Sequence, residues 1–206
     1  MIKNIVFDLG GVIITLDFEQ AVRRFYDMGV ENIRTYLDPF AQSGIFGDLE
    51  SGKITAEEFR EQLSALAGCD LTPADCLYAW KGFVQSVPRC NLDTLVALRQ
   101  KGYRLILLSN TNPYMMSWAM SPEFSGDGRT LSGYFDACYL SYQCRLMKPD
   151  PAIFQLMLEK EQINPSETLF LDDGCRNVEV AASLGIQTYQ PREGEDWTEK
   201  LHLLLE

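Results

Sequence analysis

Ile5-Val6-Phe7-Asp8-Leu9-Gly10-Gly11-Val12-Ile13 decides the fold of this 206-residue chain. Apolar residues lead into Asp8, and two glycines follow within three positions. The run Lys3–Phe7 reads as a buried strand, since short apolar runs bounded by turn residues suit strands covered on both faces. A carboxylate at the end of such a strand is unusual, because charge avoids buried positions unless it is paired or bound to metal. Glycines let backbone approach a ligand closely and present N–H groups to an anion. Asp8 is therefore the first candidate nucleophile or metal ligand.

Four further runs have the same character: Arg104–Leu108, Ala137–Leu140, Thr168–Leu171 and Ile186–Tyr189. Helical spacing fills the gaps. Asn91–Lys101 carries Leu92, Leu95, Val96 and Leu98, with Asn91 as N-cap and Gly102 as stop. Pro151–Gln162 and Arg176–Leu184 follow the same pattern, the latter ended by Gly185. Strand–helix alternation predicts an α/β fold, a parallel sheet with helices on both faces.

The stretch from Leu16 to Pro88 breaks this rhythm, with helical spacing and no convincing strand. Asp17-Phe18-Glu19-Gln20 reads as a capping box opening a helix through Met28. Thr55-Ala56-Glu57-Glu58 opens a second helix and Thr72-Pro73 a third. Residues 16–88 thus read as a helical insertion in a core built from 1–15 and 89–206. Ligands of open α/β sheets bind at the carboxyl ends of strands, so an insertion rooted there would cover the site as a lid.

The net charge of −11 and pI near 4.6 argue against a generic nucleic-acid surface, which needs clustered Lys and Arg. An anionic substrate must be held locally against this field, a task suited to a divalent cation. No stretch suits a membrane span and the N-terminus has no signal-peptide shape, so the expectation is a cytoplasmic protein, monomer or homodimer, without a membrane partner. The six cysteines form no C-x-x-C pair and read as reduced thiols packed as small hydrophobes. The single histidine, His202, leaves little room for a histidine triad or a His-rich zinc site and reads as a helix-surface residue.

Four features fall at or just beyond the predicted strand ends: Asp8, Ser109-Asn110-Thr111-Asn112, Lys148-Pro149 and Asp172-Asp173-Gly174. Singly, these read as helix caps or surface turns. At the shared edge of one parallel sheet they converge, and phosphoryl transfer needs these residue types. A carboxylate attacks phosphorus. Hard oxygens of Asp8 with Asp173 or Asp172 hold Mg²⁺. Lys148, Ser109 and backbone N–H groups stabilise charge on the transferring oxygens.

In these four motifs, taken in order, the chain resembles the haloacid dehalogenase superfamily: Phe7-Asp8-Leu9-Gly10-Gly11-Val12, Leu108-Ser109-Asn110-Thr111, Lys148-Pro149-Asp150 and Leu171-Asp172-Asp173-Gly174. The resemblance spans nearly the whole chain. It implies a Rossmann-like core with a helical cap between the first two motifs, and a Mg²⁺-dependent phosphatase acting through an aspartyl phosphate on Asp8. By the same resemblance, Asp8, the Gly10 carbonyl and Asp173 hold Mg²⁺ with Asp172 beside them. Ser109, Asn110 and Lys148 bind the phosphoryl group of a small phosphorylated metabolite.

One departure matters. Most phosphatases of this family carry a second Asp two residues after the nucleophile as general acid and base, and here that position is Gly10. The pattern is similar to a sub-branch that includes glucose-1-phosphate phosphatases and the phosphatase-like domains of epoxide hydrolases. Proton transfer typically contributes ~10²–10⁴-fold, so its loss favours a good leaving group such as a sugar 1-phosphate, or help from a cap residue or water. Two alternatives stay open: a weakly catalytic phospholigand-binding protein and a metal-independent dehalogenase. Within the insertion, Phe46–Lys53 is a polar, glycine-containing stretch read as either a substrate-facing loop or an ordinary helix connection. Trp80 and Phe83 read as cap core. Gly47–Ile54 nearly spells a P-loop but fails at Ile54, where Ser or Thr would be required.

Overall fold

The structure, a computed structural model, describes residues 1–38, 42–192 and 195–205. In chain order the elements are β1 (Asn4–Phe7), β2 (Thr15–Leu16), α1 (Phe18–Asp27), α2 (Gly44–Glu50), α3 (Ala56–Ala67), α4 (Pro73–Trp80), β3 (Val84–Ser86) and α5 (Arg89–Gln100). They continue with β4 (Arg104–Ser109), α6 (Pro113–Ala119), β5 (Ala137–Leu140), α7 (Ser141–Cys144), α8 (Pro151–Glu161), β6 (Thr168–Leu171), α9 (Cys175–Ser183), β7 (Gln187–Tyr189) and α10 (Trp197–Leu205). All five predicted sheet strands are present, with ends within a residue of expectation.

These five strands form one parallel sheet in the order β5-β4-β1-β6-β7. β1 is central, with Phe7 level with Leu107 on one side and Leu171 on the other. Alternate side chains serve opposite faces, as the strand period of two demands. Ile5, Phe7, Leu105, Leu107, Leu169 and Leu171 pack into one apolar cluster. Val6, Ile106, Leu108 and Phe170 pack into another with Ile153, Phe154 and Met157 of α8. The chain builds β4 and β5 on one side of β1 before crossing to β6 and β7, so the order reverses beside β1, and ligand crevices of open α/β sheets form at such a reversal.

The helices of the predicted insertion pack around aromatic rings. Phe46 is fully buried, with centroids 5.1 Å from Phe25, 5.2 Å from Phe59 and 5.7 Å from Trp80. This cluster is continuous with the sheet face bearing Phe7. Helix starts follow the sequence signals at Thr55 and Thr72, both reciprocal capping boxes. At Asp17 only half the box forms: its side chain accepts from Gln20 N–H, while the Gln20 Oε1 accepts from Arg24 instead.

Other expectations need correction. The insertion is not wholly helical, because β2 and β3 pair antiparallel where the chain leaves and re-enters the core. Strands of two and three residues lie below what a hydrophobic pattern can resolve. Asn91 is not an N-cap. Pro88 takes that position, and Asn91 lies inside α5 with its amide donating to the carbonyls of Val12 and Ile13 at 2.9 and 3.1 Å. Residues 44–50 form helix α2, so only the end of the Phe46–Lys53 stretch is a connection. The cysteines are all free, but Cys69, Cys90 and Cys175 are exposed rather than packed. His202 is exposed on α10, as expected.

Candidate active site

The carboxyl edge of the sheet brings the four motifs together around a cavity of about 640 Å³, within the range typical of small-ligand sites. Asp8, Gly10, Ser109, Asn110, Lys148 and Asp173 all line it. Asp8 follows β1 directly. Its Oδ1 accepts from the Leu9 N–H at 2.7 Å and stands 2.9 Å from Lys148 Nζ. One carboxylate oxygen is thus fixed by two donors, while Oδ2 accepts no hydrogen bond among the described residues.

Lys148 is buried between two carboxylates, 2.5 Å from Asp172 Oδ2 and 2.9 Å from Asp8. Burial alone would push the ammonium down, but Asp172 and Asp8 more than reverse this, so its pKa is raised. Asp172 is fully buried and its oxygens are occupied: Oδ2 by Lys148, Oδ1 by Gly174 N–H at 2.8 Å and the Asn177 amide at 2.9 Å. Asn177 went unnoticed in the sequence because an Asn in the first turn of a helix carries no distinguishing signal.

Asn110 does not present its side chain to the cavity as a free group. Its amide donates to the Lys148 carbonyl at 2.8 Å and its Oδ1 accepts from the Lys148 N–H at 2.9 Å. This reciprocal pair locks the second and third motifs together. Ser109 ends β4, and among the described residues its hydroxyl donates to the Asn110 carbonyl alone, at 3.3 Å. Gly10 is where a family acid would stand, and a Cβ there would meet Leu16 Cδ1 at 3.2 Å, so an apolar side chain borders that space.

Carboxylate oxygens of Asp8, Asp172 and Asp173 lie within 4.8 Å of one another. Burial pushes the Asp8 carboxyl up to about 8, Lys148 opposes this, and Asp172 and Asp173 reinforce it. Three acidic groups around one ammonium leave the cluster short of positive charge. This donor set, all hard oxygen, fits Mg²⁺.

Three cavity residues were not singled out for a role there. Glu50 at the end of α2, Asn112 at the start of α6 and Trp80 at the end of α4 all line it. Glu50 falls in the Phe46–Lys53 stretch, whose sequence fits a substrate-facing loop and a helix connection alike, and Trp80 is both core and cavity wall. Ser141 ties this wall together: its hydroxyl accepts from Thr111 N–H at 2.9 Å and lies 2.7 Å from the Glu50 carbonyl.

Comparison with known proteins agrees with this arrangement. A curated relative, D-ribitol-5-phosphate phosphatase of Bacteroides thetaiotaomicron, is 49% identical over 205 residues, covering 100% of this chain and 99% of the relative. A solved structure of a predicted HAD-like hydrolase from Porphyromonas gingivalis superposes with a TM-score of 0.95 at 47% identity, covering 100% of this chain and 98% of that one. A HAD family enzyme of Bacteroides thetaiotaomicron, solved as an aspartate-to-alanine variant with magnesium and inorganic phosphate, superposes with a TM-score of 0.90 at 38% identity, covering 98% and 99%. The family model for haloacid dehalogenase-like hydrolases matches residues 2–185, and the chain belongs to that family.

Proposed function

We propose that this chain is a Mg²⁺-dependent phosphatase of a small polyol or sugar phosphate, with Asp8 as nucleophile. The observation that carries the reading is the Asp8 carboxylate itself. It stands where strand order reverses, with Oδ1 held by Leu9 N–H and Lys148 and Oδ2 left for phosphorus. The Asp8 oxygen–phosphorus bond forms as the phosphorus–ester oxygen bond breaks. The leaving oxygen takes up a proton to become the alcohol, and water then attacks phosphorus, giving up a proton as the bond to Asp8 breaks and phosphate is released.

Asp8, Asp173 and the Gly10 carbonyl are the groups we assign to Mg²⁺, which would offset the repulsion between carboxylate and phosphate dianion. Asp172 we assign to holding Lys148, since its oxygens already have donors. Lys148 and Ser109 face the phosphoryl oxygens, and Asn110 contributes through its backbone, its side chain being committed to Lys148. Residues 16–88 act as the cap over this site, joined to the core by the β2–β3 pair.

The substrate class rests on the D-ribitol-5-phosphate phosphatase that this chain resembles along its whole length. On that likeness we propose this class in place of the sugar 1-phosphate suggested by Gly10; the ribitol that leaves is a primary alcohol, whose oxygen takes its proton from water or a cap residue. The test is phosphate release from D-ribitol 5-phosphate with Mg²⁺, with a chelator, and for Asp8→Asn. Release that needs Mg²⁺ and disappears in Asp8→Asn is expected. Release that persists with chelator, or in Asp8→Asn, would overturn the mechanism.

A further inference from the structure

We propose that Glu50, Asn112 and Trp80 form a subsite that hydrogen-bonds the hydroxyl groups of the substrate's non-phosphorylated end. This rests on the polyol phosphatase reading above and assigns the residues that select the polyol.

The three residues come from three helices, all line the cavity, and Glu50 and Asn112 are neighbours there. They are 8%, 0% and 1% exposed, respectively. Asn112 Nδ2 and Trp80 Nε1 are buried donors with no hydrogen-bond partner among the described residues. Buried polar groups are nearly always bonded, so two orphan donors on residues lining one cavity call for acceptors that a ligand brings.

The orientation of Asn112 is fixed chemically. Its Oδ1 accepts from the N–H groups of Tyr114 and Met115, both at 3.1 Å, capping α6. Only N–H groups can hold that oxygen, so Nδ2 must face the other way. Glu50 is the group beside it, although no hydrogen bond of normal geometry closes. Burial pushes the Glu50 carboxyl up to about 8 against the opposing pull of the Asn112 amide. At neutral pH it is therefore mainly protonated, able both to donate and to accept. Two donors and one donor–acceptor match vicinal hydroxyls, each of which also donates and accepts. An apolar tail would leave both donors unpaired.

The test measures kcat/KM for D-ribitol 5-phosphate and for n-pentyl phosphate, which has the same chain length without hydroxyls. The readout is the ratio of the two, in wild type, Glu50→Leu and Trp80→Phe. Wild type is expected to favour the polyol, and each variant to lower the ratio about ten-fold, as for one lost hydrogen bond. Asn112→Asp keeps the helix-capping oxygen while removing the donor, and is expected to lower the ratio similarly. A merely structural role would reduce both substrates together and leave the ratio unchanged, which would overturn the subsite. A wild type that hydrolyses both esters equally overturns the subsite and leaves the phosphatase reading standing. A wild type that releases phosphate from neither overturns both.

Discussion

Gly11 and Asp173 occupy adjoining space so closely that a Cβ on Gly11 would stand 2.1 Å from Asp173 Oδ2. Gly11 also has φ +70°, a conformation that costs other residues about 1–2 kcal/mol. The second glycine of the first motif therefore makes room for the carboxylate of the fourth. Gly11→Ala is expected to displace Asp173 and raise the Mg²⁺ concentration needed for activity roughly 10–100-fold, the usual scale for disturbing a ligand's support. Gly102→Ala is the control, since Gly102 has φ +90° but no atom within 4 Å of its Cβ position. It should lose stability without a change in the Mg²⁺ titration.

Lys148 is the counter-ion of the buried Asp172 and the part-buried Asp8. Removing one partner of a buried ion pair typically costs about 3–5 kcal/mol, because the remaining charge has no compensation. Lys148→Met is expected to lose stability on this scale in urea denaturation with chelator present, and to recover part of it when Mg²⁺ is added. A variant within about 1 kcal/mol of wild type would show that the site does not depend on this ammonium.

The loop after Asp8 hangs from two side chains. Asn91 donates to the Val12 and Ile13 carbonyls, and Trp197 Nε1 donates to Val12 at 2.7 Å. Losing a buried partner typically costs about 1–3 kcal/mol. Asn91→Ala and Trp197→Phe should each fall in that range by denaturation. Because both hold one loop, the double variant should depart from additivity.

Glu50 makes a pH prediction of defined sign. Its folded pKa of about 8 stands above the ordinary 4.5, with burial as the first cause, the Asn112 amide opposing it, and no charged side chain contributing. The folded state then holds a proton that the unfolded chain has released. Stability from this group is complete below about pH 4.5 and is lost as pH rises towards 8. The stability difference between wild type and Glu50→Gln should fall with pH across that window, with a slope of at most about 1.4 kcal/mol per pH unit. A difference that stays flat would place Glu50 in a wetter setting.

Sequence alone made the sheet legible, because runs such as Leu105–Leu108 and Leu169–Leu171 are apolar at every position, the mark of strands covered on both faces. The motif residues were legible because Asp8, Ser109 and Asp172 sit at strand ends, and Lys148 in the loop beyond α7 that follows β5, where topology forces convergence. What escaped the reading was the support around them. Nothing in the local pattern of Asn91 distinguishes a helix cap from an amide reaching a loop almost 80 residues earlier, and Asn177 gives no hint that it holds Asp172. Glu50 was hidden because its role depends on helices α4 and α6 arriving at the same cavity.

The short β2–β3 pair has a consequence beyond its size. The segment between these strands departs from and returns to the sheet at one laddered junction. Of the proposed subsite, Glu50 and Trp80 lie inside that segment, while Asn112 lies outside it with Asp8, Lys148, Asp172 and Asp173. Inheritance can thus exchange one part without rewriting the other. A recombination at two points that are neighbours in space would exchange the Glu50 and Trp80 side of the proposed subsite over unchanged chemistry, provided the new piece restores the apolar face it shares with Phe7.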